Sequence, residues 1–264
     1  MPDAQKIYDR NARWYDLLEA PLEWMLFAQW RAMLFGKLEG RRVLEVGIGT
    51  GKNIPYYPDE AVVTAIDIST AMIERARRRA ATLGRTVDIR RMDIEHPAFP
   101  ANDFDTAVAT FLFCSVPDPL AGLHQLRRVL KPGGKLYLLE HIRPANAVAG
   151  ALFDLLNPLM VRLSGANINR TTVGNVRMAG FRIIRNRNLL AGVFREIIAA
   201  VPASSRRRGS EDRTSEPELV GIENTVPEYA RAGAWCRGPA GTGIPLSVKK
   251  GRRKGEGAGS RSRQ

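Results

Sequence analysis

The chain has 264 residues, 44% of them hydrophobic, which allows one full core with extensions. Only Cys114 and Cys236 are present, far apart and in unlike surroundings, which excludes a disulfide framework and a cysteine metal cluster and fits a reducing cytoplasm. The formal net charge of +13 invites a nucleic-acid or anionic-membrane partner, yet +6 of it, from 13 Lys/Arg against 7 Asp/Glu, falls in residues 204–264.

The chain opens without an apolar signal core, and no apolar run approaches the ~20 residues that span a bilayer. A cytoplasmic protein, soluble or peripheral to a membrane, is expected. From Ile7 to Leu38, apolar and aromatic residues including Trp14, Leu17, Leu18, Leu22, Met25, Leu26 and Trp30 recur at helical spacing, interrupted by Pro21, so two helices are predicted. Arg42–Val46 then reads as a buried strand entering the glycine-rich Gly47-Ile-Gly-Thr-Gly. Val62–Asp67 is predicted as strand two, Ser69–Leu83 as a helix with Ser69 as N-cap, and Val87–Arg91 as strand three. Asp105–Phe113 reads as strand four, Leu120–Leu130 as a helix, Lys131-Pro-Gly-Gly as a sharp turn and Lys135–Glu140 as strand five.

After Arg143 an apolar helical insertion, Val148–Leu163, is followed by a polar stretch from Gly165 to Thr172. Two more strands, Phe181–Ile184 and Val193–Ile198, would complete seven as an antiparallel pair. The alternation implies a doubly wound α/β fold with a seven-stranded, mainly parallel sheet. Its domain would span 1–203. Residues 204–264, rich in Gly, Ser, Pro and Arg and poor in hydrophobic periodicity, read as a disordered basic tail.

In such a sheet, ligands lie beyond the carboxyl ends of the strands, beside strand one. Gly47, Gly49 and Gly51 remove side chains where the backbone must turn and approach a ligand, with Glu45 just before them. The dinucleotide fingerprint needs a third glycine at position 52, which is Lys52, and Pro55 interrupts the helix that would trap a pyrophosphate. Asp67 ends strand two, where a carboxylate can accept both hydroxyls of a ribose. Asp93 follows strand three, placed to take a hydrogen bond from an adenine amino group between apolar neighbours such as Ile94. That arrangement suits an adenosine without phosphate. The bland alternative, that each aspartate only caps a strand, weakens when both follow one loop in order.

Val43-Leu-Glu-Val-Gly-Ile-Gly-Thr-Gly, Ala65-Ile-Asp-Ile-Ser, Arg91-Met-Asp-Ile and Leu126-Arg-Arg-Val-Leu-Lys-Pro-Gly-Gly together resemble the class I S-adenosylmethionine-dependent methyltransferases, over roughly Tyr8 to Val201. The resemblance implies a cofactor site formed by Tyr8, Tyr15, Glu45, Gly47, Gly49, Gly51, Asp67, Ile68, Met72, Asp93 and Ile94. Asp67 would take the ribose, Asp93 the adenine and the glycine loop the methionine moiety. Tyr8–Asp16 looks like the cofactor-covering segment of the ubiquinone/menaquinone and phosphatidylethanolamine methyltransferase branch. Leu112–Asp118, Glu140-His-Ile and the segment from Asn157 to Thr171 look more like the methyltransferase-like thiol S-methyltransferases. The two point to different acceptors, and both stay open.

Methyl transfer from a sulfonium is an in-line displacement that needs positioning and exclusion of water, with a base only for a protonated acceptor. His141, ending strand five, is the candidate base; a backbone-bonded structural imidazole is the competing reading. His96 and His124 are given no role. Cys114 reads as packing. No His, Cys and carboxylate set has metal-ligand spacing, so no metal is expected.

The apolar face of Val148–Leu163 could cover an acyl or prenyl acceptor, lie on a membrane with Arg162 and Arg170 at the headgroups, or pack on the sheet. The expected partner is a small-molecule or lipid acceptor. Nucleic acid is disfavoured because no aromatic-interleaved basic strand appears. The alternative reading is a non-catalytic protein of this fold holding RNA or membrane through its basic tail.

Overall fold

The computed structural model describes residues 23–203. A π-helical turn, Glu23–Phe27, leads into α1 (Ala28–Phe35), β1 (Arg42–Val46), a 3-10 turn at Ile54–Tyr56, β2 (Val62–Asp67), α2 (Thr70–Thr82) and β3 (Asp88–Arg91). Next come β4 (Phe104–Thr110), α3 (Pro119–Val129), β5 (Leu130–His141), α4 (Ala147–Ser164), α5 (Thr172–Met178), β6 (Arg182–Leu190) and β7 (Phe194–Ala200). The helix expected ahead of Pro21, the expected lid residues Tyr8 and Tyr15, and the tail 204–264 lie outside the described residues.

The seven strands form one sheet in the order β3-β2-β1-β4-β5-β7-β6. β1 to β5 run parallel, and β7 is antiparallel to both β5 and β6, as the sequence reading expects. β2 and β3 are laid down on one side of β1, and β4 and β5 on the other. The loops leaving β1 and β4 therefore diverge, opening a crevice at their carboxyl ends.

Alternation along the strands builds two apolar layers. Leu44 and Val46 of β1 pack with Leu123, Leu126 and Val129 of α3 and with Val176 of α5. Val43 packs on the opposite face with Trp30, Leu34 and Phe35 of α1 and with Ile73 and Ala76 of α2. α2 starts where expected, the Ser69 hydroxyl accepting from the Met72 amide at 3.2 Å. Asp118 caps α3 by accepting from the amides of Leu120 and Ala121, both at 3.0 Å. α4 contributes no residue to either core layer.

Several boundaries depart from the sequence reading. Strand four stops at Thr110 rather than Phe113, because Phe111 turns into the left-handed region (φ 55°) and the next two amides donate to the Glu140 carboxylate. Strand five begins at Leu130: Lys131–Gly134 is a bulge inside it, since β4 pairs Phe104 with Leu130 and then Thr106 with Lys135. β6 continues to Leu190, far beyond the expected Ile184, because its whole length pairs with β7. The short α5 was not foreseen; Val176 anchors it in the core.

Candidate active site

The ends of β1, β2 and β3 come level at one edge of the sheet, with Val46 opposite Ile66 and Asp67 opposite Arg91. The Ile66 carbonyl accepts from the amides of Gly47 (2.8 Å) and Ile48 (3.1 Å), folding the glycine loop over the end of β2. Asp67 locks that fold: its Oδ2 accepts from the Gly49 amide at 2.8 Å and its Oδ1 from the Ser69 amide at 2.9 Å. A carboxylate oxygen has two acceptor directions, so capacity for ligand hydroxyls is retained.

The glycines differ in what they permit. A Cβ at Gly47 would stand 2.6 Å from Leu112 Cδ1, and one at Gly51 3.1 Å from the Ala76 Cα, so both positions need closeness as well as positive φ. At Gly49 a Cβ would meet nothing within 4 Å. That open space, beside a half-buried carboxylate, is where the backbone can meet a ligand.

Asp93 lies in the turn after β3, its Oδ1 accepting from the Glu95 amide at 2.9 Å. Ile68 is exposed, whereas Met72 and Ile94 are buried in the walls behind the crevice. Asp93, Glu95 and His96 offer ligand atoms within 4.8 Å of one another, a grouping the reading by spacing missed. Glu95 also caps the approach to α3, its Oε1 accepting from the Asp118 amide at 2.9 Å.

Glu45 is fully buried beneath the loop. It accepts from Asn53 Nδ2 at 2.6 Å and from the Tyr57 hydroxyl, and burial pushes its carboxyl up to about 8 against the opposing pull of Asn53 and Arg31. Asn53 in turn accepts from Arg31 Nη1 at 2.7 Å, and Thr110 Oγ1 accepts from the same nitrogen at 2.6 Å. Arg31 Nε donates to Glu23 at 2.9 Å, and Lys52 Nζ lies 3.6 Å from the same carboxylate. This buried chain ties the N-terminal helix to the ends of β1 and β4. Arg31, Asn53, Tyr57 and Thr110 were missed by the sequence reading because they come from three separate segments. It also engages Lys52, the cation nearest in sequence to the glycine loop.

On the other side of the switch point, Glu140 is fully buried at the end of β5. Its Oε1 accepts from the amides of Leu112 and Phe113, both at 3.1 Å, while Oε2 has no partner, and burial raises the carboxyl to about 8. His141 stacks on Phe153 of α4 (centroids 5.6 Å apart, planes 9°) and meets Phe194 edge-on at 5.3 Å. Burial holds its imidazole below the usual histidine range, and Nδ1 is buried without a partner. Burial pushes the Cys114 thiol up to about 12, so it stays protonated and packs, as expected. The Cys114 carbonyl accepts from the Asn167 amide at 2.8 Å, drawing the segment after α4 against this loop.

An open backbone at Gly49, a carboxylate joined to it and a second at the next strand end fit an adenosine carrying no phosphate. A methyltransferase-domain family model matches residues 44–138. The chain is 39% identical over 126 residues to a phosphatidylethanolamine N-methyltransferase of Cereibacter sphaeroides, covering 46% of this chain and 62% of that protein. It thus spans about three-fifths of that relative's length. It is 31% identical over 174 residues to a demethylmenaquinone methyltransferase of Clavibacter sepedonicus, covering 58% and 71%. In fold it is similar to a solved S-adenosylmethionine-dependent methyltransferase, a possible histamine N-methyltransferase, of Thermotoga maritima (TM-score 0.58, 22% identity, 74% and 99% covered). With the glycine loop and both aspartates at one edge of this sheet, and that similarity extending over most of the Clavibacter protein, the chain belongs to the class I S-adenosylmethionine-dependent methyltransferases.

Proposed function

We propose that the protein transfers a methyl group from S-adenosylmethionine to a small or lipid-like acceptor: a quinone precursor, phosphatidylethanolamine or a thiol. The observation that carries this reading is the junction of Asp67 with Gly49, which puts a carboxylate and open backbone on the same spot. When bound, the cofactor supplies a methyl group on a sulfonium that is displaced in line. Asp67 accepts hydrogen bonds from the ribose hydroxyls while keeping the loop closed, and Asp93 accepts from the adenine amino group. Glu45 acts from below by holding Asn53 and Tyr57, which fix the floor of the loop. Lys52 engages Glu23 and so adds little positive potential for a phosphate.

On the acceptor side, burial favours the neutral form of His141, whose half-buried imidazole can take a proton from a phenol, thiol or ammonium acceptor. Phe153 and Phe194 hold the ring, and α4 with the segment after it keeps water from the end of β5. The names of the two curated relatives, one acting on phosphatidylethanolamine and one on demethylmenaquinone, support a lipid-like acceptor.

The test is to incubate the protein with methyl-labelled cofactor and a cell extract separated into lipid, small-molecule and macromolecular fractions. Label is expected in the first or second fraction. Label confined to protein or nucleic acid would overturn the acceptor class, and absence of saturable cofactor binding by calorimetry would overturn the activity.

A further inference from the structure

Outside the crevice, the largest unexplained feature is α4. It is an 18-residue helix, capped by Asn146, whose Oδ1 accepts from the Ala149 amide at 3.0 Å, and closed by Gly165 at φ 77°. Val148 (81% exposed), Leu152 (51%), Leu155 (76%), Leu156 (41%), Leu159 (55%) and Leu163 (61%) all face solvent. At 3.6 residues per turn these six positions fall within an arc of about 100°, a continuous apolar stripe along the helix. The helix is not long and apolar enough to cross a membrane. Its other side reaches the candidate base, through Phe153 on His141.

Charge is distributed unevenly along the chain. Residues 42–141, which carry the cofactor end, hold 13 Lys/Arg and 12 Asp/Glu, while residues 142–195 hold eight arginines and a single acid, Asp154. Asp154 is itself paired with Arg143 at 2.8 Å. Arg162, exposed, borders the stripe near the end of α4; elsewhere in this stretch Arg182 is exposed on the edge strand β6, and Arg185 pairs with Glu196 at 3.6 Å. An apolar stripe bordered by Arg162, in a stretch of chain with a single acid, fits an anionic bilayer, into whose headgroup region a helix can lie flat while an arginine meets the phosphates.

We infer that α4 is a membrane-docking helix, lying in the plane of an anionic lipid bilayer with Leu152, Leu155, Leu159 and Leu163 inserted. The docking surface stands independently of methyl transfer; only its consequence, that a lipid-borne acceptor would reach His141 along the inner side of α4, rests on the proposed activity.

The test uses the full chain in co-sedimentation with mixed phosphatidylcholine–phosphatidylglycerol vesicles and with phosphatidylcholine vesicles alone. Wild type is expected to partition onto the mixed vesicles. The Leu155→Glu/Leu159→Glu variant should lose about tenfold or more in partitioning. The Arg162→Ala variant should lose several-fold of the preference for mixed over neutral vesicles. Should the glutamate pair fail to fold, Leu155→Ala/Leu159→Ala serves, with a several-fold loss expected. The inference is overturned if wild type stays in the supernatant, if both leucine variants sediment like wild type, so that another part of the chain binds lipid, or if light scattering reveals a dimer that the leucine substitutions dissociate. Calorimetric cofactor affinity, measured on the same samples, separates a failed docking surface from a failed cofactor site.

Discussion

The two wings of the sheet hold their ends by opposite means. On the β1–β3 wing, the crevice is held by short polar contacts made largely to backbone: the Ile66 carbonyl to two loop amides, Asp67 to Gly49 and Ser69, Asp93 to Glu95. On the β5–β7 wing, the end of β5 is held by stacked rings and a buried carboxylate, beneath a helix whose outer face is apolar and exposed. Backbone-held geometry tolerates little change and suits one invariant ligand. Ring and helix packing can be altered residue by residue, and suits a wing where acceptor choice is made.

Substituting Asp67 probes this contrast most severely. Asp67→Ala removes both the loop lock and the acceptor for two hydroxyls, so cofactor affinity should fall on the order of 10²–10³-fold by calorimetry. An unchanged affinity would sink the assignment of that wing. On the opposite wing, His141→Gln should lower kcat about 10²-fold while leaving cofactor affinity within about twofold, if the imidazole carries the proton. In wild type, kcat should rise with pH through a point below the usual histidine pKa, because burial lowers it, and that inflection should vanish in the variant. A kcat that holds would return His141 to a packing role.

Smaller effects sharpen the same comparison through stability. Gly47→Ala should destabilise by about 2 kcal/mol, since an L-residue there adopts φ 73° and its Cβ meets Leu112. Thermal melts measure this. Glu140 should make stability pH-dependent: its folded pKa, about 8, exceeds the value of 4.5 for an unperturbed glutamate, so the folded state binds more protons between those limits. Its contribution is full below 4.5 and is lost as pH rises toward 8. Glu140→Gln, which keeps the acceptor for the Leu112 and Phe113 amides, should flatten that slope, and an identical slope would contradict the raised pKa. Glu45 has the same sign and window, so some slope should persist. The smallest change in stability, within about 0.5 kcal/mol, is expected for Leu155→Ala on the exposed stripe.

The β1–β3 wing of the fold was nearly all readable from the chain. Its strands, the Ser69 cap and the order of Gly47–Gly51, Asp67 and Asp93 follow from periodicity and spacing, because each contact there joins residues close in sequence or at adjacent strand ends. The network of Glu23, Arg31, Glu45, Asn53 and Thr110 was not, since its members come together only when α1 packs over the ends of β1 and β4. Strand four ended early for a similar reason: Phe111–Phe113 has strand-like residues, and a carboxylate 27 positions away takes its amides.

The chain by itself determined the doubly wound fold and the gathering of the glycine loop and the strand-end acids at one edge of the sheet, for alternating apolar residues, glycines and acids that end strands act over a few residues. Tertiary structure alone decided that Glu140 is buried with one oxygen unpartnered, that His141 sits between two rings, and that the apolar face of α4 turns outward rather than onto the sheet. Helical spacing fixes that a stripe exists. Which way the stripe points depends on what the rest of the molecule leaves uncovered.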